Sequence, residues 1–209
     1  MRAKVSLAAA LAALVASSPS MAWADPPTRI TIVAVFDPIK YGENAYLNGQ
    51  VYQDTPGGQV VTLEQSASPF VEWTPVAQVT TDPEGYYSFE LHPTQTLMYR
   101  TNSQGASSER AVNVSVLPRI TFKATRAGRA TVRFSGTFAP AVDGQRVTIQ
   151  RRTANGSWAT ATKVPLRSGK TFEGRIRAGH PVTLRASFTT NGALATAASK
   201  AVTVVVGGG

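Results

Sequence analysis

The side chains best placed to do chemistry in this 209-residue chain are its cations, and they crowd into one half. Residues 119–209 carry fifteen lysines and arginines against two acids, a net charge of +13. Residues 25–118 carry four against ten, a net charge of −6. Arg133, Arg146, Arg152, Arg175, Arg177 and Arg185 stand in stretches where apolar and polar residues alternate. Alternate side chains leave a strand on opposite faces, so the apolar set goes inward and these six arginines point to solvent. A field of that sign attracts polyanions: anionic cell-envelope polymers of teichoic or teichuronic type, acidic lipid, or nucleic acid. Few aromatics are interleaved with the cations, which argues against a surface built for single-stranded nucleic acid. The competing reading is a charge that serves solubility and pairing with the acidic half.

Other chemistry is sparse. Catalysis needs titratable groups that converge. His92 and His180 lie in different halves, each close to a proline, and there is no cysteine to join either of them at a metal. No serine elbow and no phosphate loop is present. Asp82 and Glu84, with Asp54 and Glu43, carry the oxygen ligands Ca²⁺ prefers, but their spacing reads better as solvated turns. Trp73 and Trp158 could stack on sugar rings; their equivalent places in a repeated pattern make packing at the core edge the simpler reading. The chain is therefore expected to be no enzyme, with no cofactor and no metal.

The elements that position these residues are strands. Val132, Phe134, Gly136 and Phe138 alternate with Thr131, Arg133, Ser135 and Thr137, a period of two that marks a half-buried strand. About seven such runs occur in each half. Pro56-Gly57-Gly58, Asp82-Pro83-Glu84-Gly85 and Asp143-Gly144 punctuate them, and Asn155-Gly156 predicts a tight hairpin with both residues at positive φ. The halves repeat one pattern. Arg29-Ile30-Thr31-Ile32 answers to Arg119-Ile120-Thr121-Phe122, Leu47-Asn48-Gly49 to Phe134-Ser135-Gly136, Trp73 to Trp158, Phe89 to Phe172, and Tyr99-Arg100 to Leu184-Arg185. Seven short strands in about ninety residues predict a two-sheet antiparallel sandwich, twice over. Leu117-Pro118 is the whole linker, and proline stiffens it.

Residues 1–24 read as a cleaved secretory signal. Arg2 and Lys4 precede the apolar stretch Val5–Ala16, and Ala22-Trp23-Ala24 ends it with a small-x-small site. The stretch is shorter than the ~20 apolar residues that span a bilayer. Cleavage after Ala24 leaves Asp25 first, which rules out the cysteine a lipid anchor needs. Residues 207–209 are a flexible glycine tail without a sorting motif, so surface attachment is expected to be noncovalent.

The glycines of the second strand, the Gly-x-x-Val pattern of the third, the two tryptophans, Gly85-Tyr86-Tyr87-Ser88-Phe89 and Tyr99-Arg100 carry a resemblance. The chain resembles the immunoglobulin-like repeat domains of secreted actinobacterial proteins, related in architecture to fibronectin type III modules. It departs from them in the second half, where Leu184 replaces Tyr99 and Lys170-Thr171-Phe172 replaces the longer aromatic segment. The resemblance implies an all-β protein of two tandem immunoglobulin-like sandwiches, residues 25–118 and 119–206, acting as a spacer, adhesive or binding module. The expected product is secreted, a non-enzymatic surface-associated module that holds anionic envelope polymer or another surface protein. A small secreted effector, such as a protease inhibitor or an envelope-active protein, is the alternative.

Overall fold

Alternating apolar residues become strands throughout the computed structural model, which describes residues 28–206. The expected signal, residues 1–24, and the glycine tail, residues 207–209, lie outside the described residues. The first half holds β1 (Arg29–Ala34), β2 (Ile39–Lys40), β3 (Ala45–Tyr52), β4 (Val60–Ala67), β5 (Thr74–Thr80), β6 (Tyr86–Leu91), β7 (Leu97–Ser103), β8 (Ala106–Ser107), β9 (Val112–Val114) and β10 (Val116–Leu117). The second holds β11 (Arg119–Ile120), β12 (Lys123–Gly128), β13 (Thr131–Ala139), β14 (Arg146–Arg152), β15 (Trp158–Pro165), β16 (Thr171–Arg177), β17 (Val182–Phe188), β18 (Ala197–Ala198) and β19 (Val202–Val204). The chain is all-β, with no helix among the described residues. The count exceeds seven per half because short pieces stand where single strands were expected. Two short pieces, β8 and β9, pair with β7, for example, and two more, β18 and β19, with β17.

In the first half β1-β3-β6 form one antiparallel sheet, and β5-β4-β7 with β8 and β9 form another. The second half repeats this order, with β11 and β12 on β13, β16 on its other side, and β15-β14-β17 carrying β18 and β19. One parallel pair, β2 beside β10, sits outside these sheets. Among the described residues, the strands of each half pair only with strands of the same half.

The core follows the period of two. Ile30, Leu47, Leu63 and Tyr99 are buried in the first half, and Phe134, Ile149, Phe172 and Leu184 in the second. Each such side chain contributes roughly 1.5–3 kcal/mol by leaving water. The register corrects one expected correspondence. Gly49 lies opposite Tyr87, and Gly136 opposite Phe172. Phe172 is therefore the counterpart of Tyr87, not of Phe89, and Phe89 corresponds to Gly174. A Cβ at Gly49 would run into the Thr31 carbonyl and the Tyr87 ring; one at Gly136 would meet the Thr121 carbonyl and Phe172. β3 and β13 need glycine there because the end of an aromatic ring reaches across the strand. The Tyr87 hydroxyl donates to the Thr31 carbonyl and lies 2.8 Å from Thr101 Oγ1. The second half has Phe172 and Ala186 at the corresponding places, so both members of the polar pair have become apolar together. A lone hydroxyl buried there would be costly.

The Asn155-Gly156 hairpin forms, but with a different turn. Gly156 alone takes positive φ, at 84°. Thr153 N–H donates to the Ser157 carbonyl at 2.8 Å, and Gly156 N–H to the Thr153 carbonyl at 3.0 Å. This is a turn followed by one left-handed glycine, the longer kind of hairpin loop. The Asn155 side chain is engaged as well, accepting from the Ser157 N–H at 3.1 Å.

The halves are joined by more than Pro118. Thr96 N–H donates to the Ala193 carbonyl at 2.7 Å, and Ala195 N–H to the Val116 carbonyl at 2.9 Å. Leu194, between these two bonds, is buried. Arg119 Nε donates to the Tyr41 carbonyl at 2.6 Å and its guanidinium lies 3.7 Å from Glu43. A loop of the second half thus lies on the end of the first.

Candidate anion-binding groove

β15 and β16 are edge strands of the two different sheets of the second half, each paired on one side only. Between them runs an open groove of about 730 Å³. Arg151 and Arg152, the last residues of β14, stand on one side, and Arg175 and Arg177 of β16 on the other. Thr160 and Thr162 supply hydroxyls, and His180 closes one end. No carboxylate lines the groove. All four arginines are exposed, so their charges act through solvent-screened space and are sensitive to salt.

The local sequence explains this arrangement. Thr131 pairs with Arg177 and Arg133 with Arg175, so these arginines leave one face of β16 at alternate positions. β14 carries Arg152 outward, and a bulge in β15 opposite Ile149 and Gln150 bends the hairpin just before it. Arg151 shares its parity with buried Val147 and Ile149, yet it is exposed. Its neighbour across β17, Leu184, is fully buried, so Arg151 stands beside the core and reaches from there into the groove.

Of the six arginines expected to face solvent, the groove gathers three: Arg152, Arg175 and Arg177. Arg133 is exposed outside it, 3.6 Å from Glu173, which also pairs with Arg167 at 2.8 Å. Arg146 stands at the far end of β14 and donates to the Lys163 carbonyl at 3.2 Å. Arg185 is half-buried rather than free, because its guanidinium lies 4.1 Å from the centre of the Trp158 ring and Nε donates to Gln150 at 2.8 Å. Sequence reasoning did not single out Arg151, and it treated His180 as an isolated loop residue.

The tryptophans do not close the core edge as expected. Trp73 and Trp158 are half-buried and outside the core cluster. Each is covered by an arginine: Arg100 stands 4.4 Å from the Trp73 ring centre as Arg185 does over Trp158. A stacked guanidinium contributes ~0.5–1 kcal/mol at such partly exposed sites. In the first half Glu64 pairs with Arg100 at 2.6 Å; Gln150 takes that place in the second, so the Arg185 charge has no carboxylate beside it.

Among the acidic candidates, Asp82 Oδ1 accepts the Tyr86 N–H at 2.7 Å and the Gly85 N–H donates to the Asp82 carbonyl at 3.0 Å. Asp82 therefore organises its own turn. No group of three or more metal-binding side chains occurs among the described residues. No helix there is long and apolar enough to cross a membrane. Comparison of the chain with models of known protein families and with curated proteins finds no match.

Proposed function

We propose that this chain is an exported, non-enzymatic binding module made of two immunoglobulin-like sandwiches, and that its second half holds linear anionic polymers of the cell envelope in the groove between β15 and β16. The observation that carries the reading is the set of four exposed arginines on one groove without a carboxylate. Guanidinium groups match phosphate and carboxylate oxygens in paired hydrogen bonds. Two walls of arginine suit a chain that threads between them better than a flat lipid surface, which reaches only outer faces. The identical sheet order of the two halves, with the first, second and fifth long strands in one sheet, supports the tandem immunoglobulin-like reading. The basic and apolar pattern of residues 2–24 supports export, and predicts Asp25 as the first residue of the protein recovered outside the cell.

Binding of residues 25–209 to purified poly(glycerol phosphate) tests the function, measured across a salt series. Affinity should fall steeply with salt, with a log–log slope of about −3 for four contacts to a single-stranded polyanion. The double substitution Arg151→Glu/Arg175→Glu should abolish most binding, whereas Arg146→Glu should change it little. Equal losses in both variants would show a diffuse field rather than a groove. Absence of binding at low salt would reduce the charge to a solubility feature.

A further inference from the structure

The outer face of β1-β3-β6 carries three exposed aromatic rings. Tyr46, Tyr52 and Tyr86 project from it and are 37%, 43% and 55% exposed. The register puts Tyr86 beside Gln50 and Ser88 beside Asn48, so amides and a hydroxyl fill the space between the rings. Tyr46 and Tyr52 are six residues apart on β3, a span of about 20 Å.

The fold does not require these rings. The same face of the second half has Arg133 where Tyr46 stands, Ala139 for Tyr52, Thr171 for Tyr86 and Lys123 for exposed Val33. That half builds its sheet without a single aromatic on the outer face. Exposed tyrosines in water gain nothing for the core, and three on one face of one copy make the kind of surface patch that marks a binding site.

The chemistry of the face selects the ligand class. Its two formal charges both have partners within the protein. Arg29 pairs with Glu109 and stands 5.2 Å from the Tyr52 ring centre; Glu90 accepts from the Tyr46 hydroxyl at 3.1 Å and from the Asn44 amide. Beyond the Arg29–Glu109 pair, the one charge on the face is Glu90, whose carboxylate is held by neutral donors. What remains are ring faces and fixed polar groups. Ser88 Oγ donates to Asn48 Oδ1 at 2.8 Å, which orients the Asn48 amide with its N–H groups available; Gln50 Nε2 donates to the Glu84 carbonyl at 3.0 Å, which leaves Gln50 Oε1 as an acceptor. Rings flanked by an oriented donor and an oriented acceptor fit a sugar, whose C–H face stacks and whose hydroxyls both give and take hydrogen bonds. We infer that the outer face of β1-β3-β6 binds a neutral glycan chain, long enough to reach from Tyr46 to Tyr52. The site is separate from the arginine groove and does not rest on it.

The test uses residues 25–209 in high salt, which silences the groove. Depletion onto insoluble cellulose, chitin and mannan, followed by calorimetry with their oligosaccharides, should find at least one ligand whose affinity does not change with salt. Tyr86→Ala should weaken it about tenfold or more, Tyr86→Phe should retain it, and Arg151→Glu/Arg175→Glu should leave it unchanged. The triple variant Tyr46→Ala/Tyr52→Ala/Tyr86→Ala, checked for an unaltered unfolding midpoint, should not bind. Retention of the triple variant, or failure of every neutral polysaccharide to retain the parent, overturns the inference. So does self-association of the parent that the triple variant lacks, which would make this face an interface between copies.

Discussion

Phe134 and Gly174 face one another across β13 and β16 in the places that Leu47 and Phe89 hold across β3 and β6. The large and small partners have exchanged strands, and a Cβ at position 174 would stand 2.5 Å from Phe134 Cζ. Gly174→Ala should therefore destabilise the second half by about 1–3 kcal/mol through overpacking. Gly174→Phe should do so more severely, and Phe134→Leu should leave a void. The double variant Phe134→Leu/Gly174→Phe recreates the first-half pairing. Urea denaturation should find it more stable than the sum of the single effects by at least about 1 kcal/mol; strict additivity would refute the exchange.

Alkaline pH should weaken the first half before the second. Tyr99 is buried, and burial pushes its phenol from 10.0 up to about 12. Burial also raises Tyr87, against the smaller opposing effect of its hydrogen bond with Thr101. A raised phenol means that the folded state holds its proton after the unfolded state has lost it. The stabilisation is thus fully present below pH 10 and is lost as pH climbs from 10 to about 12. Leu184 and Phe172 occupy the matching places in the second half and cannot ionise. Denaturation midpoints measured across this window should fall, and Tyr99→Phe should flatten the fall.

Gln150→Glu should convert the Gln150–Arg185–Trp158 cluster into the form seen in Glu64–Arg100–Trp73. An ion pair at this partly exposed site should add less than about 1 kcal/mol. Thermal denaturation at low and high salt would measure it, since the gain should shrink as salt rises. An unchanged midpoint at low salt would mean that the stack on Trp158 already holds Arg185 in full.

Leu194→Asp should separate the unfolding of the halves. The substitution puts a charge in the buried place between the Thr96–Ala193 and Ala195–Val116 bonds, where an unpaired ion is strongly unfavourable. Calorimetry should resolve two transitions in the variant against closer coupling in the parent. Identical traces would show that Pro118 and Arg119 hold the junction unaided.

The amino-acid sequence suffices for the strand-rich character, the internal repeat, most of the inward and outward sets and the division of charge. Those properties are local or additive: a strand's period shows in a few residues, and charge is a count. It misassigned Phe172 because it matched like with like, Phe to Phe, whereas a ring can be supplied from either strand of a facing pair; only the register pairs Gly136 with Phe172 and Phe134 with Gly174. It also placed the tryptophans at the core edge, since nothing local reveals that Arg100 and Arg185 cover their rings. The groove was decided by tertiary structure alone. Arg152 and Arg175 lie on different sheets, and they meet because β15 and β16 are neighbouring edges. Arg151 joins them from a place next to buried Leu184, where the alternation leads one to expect an apolar residue.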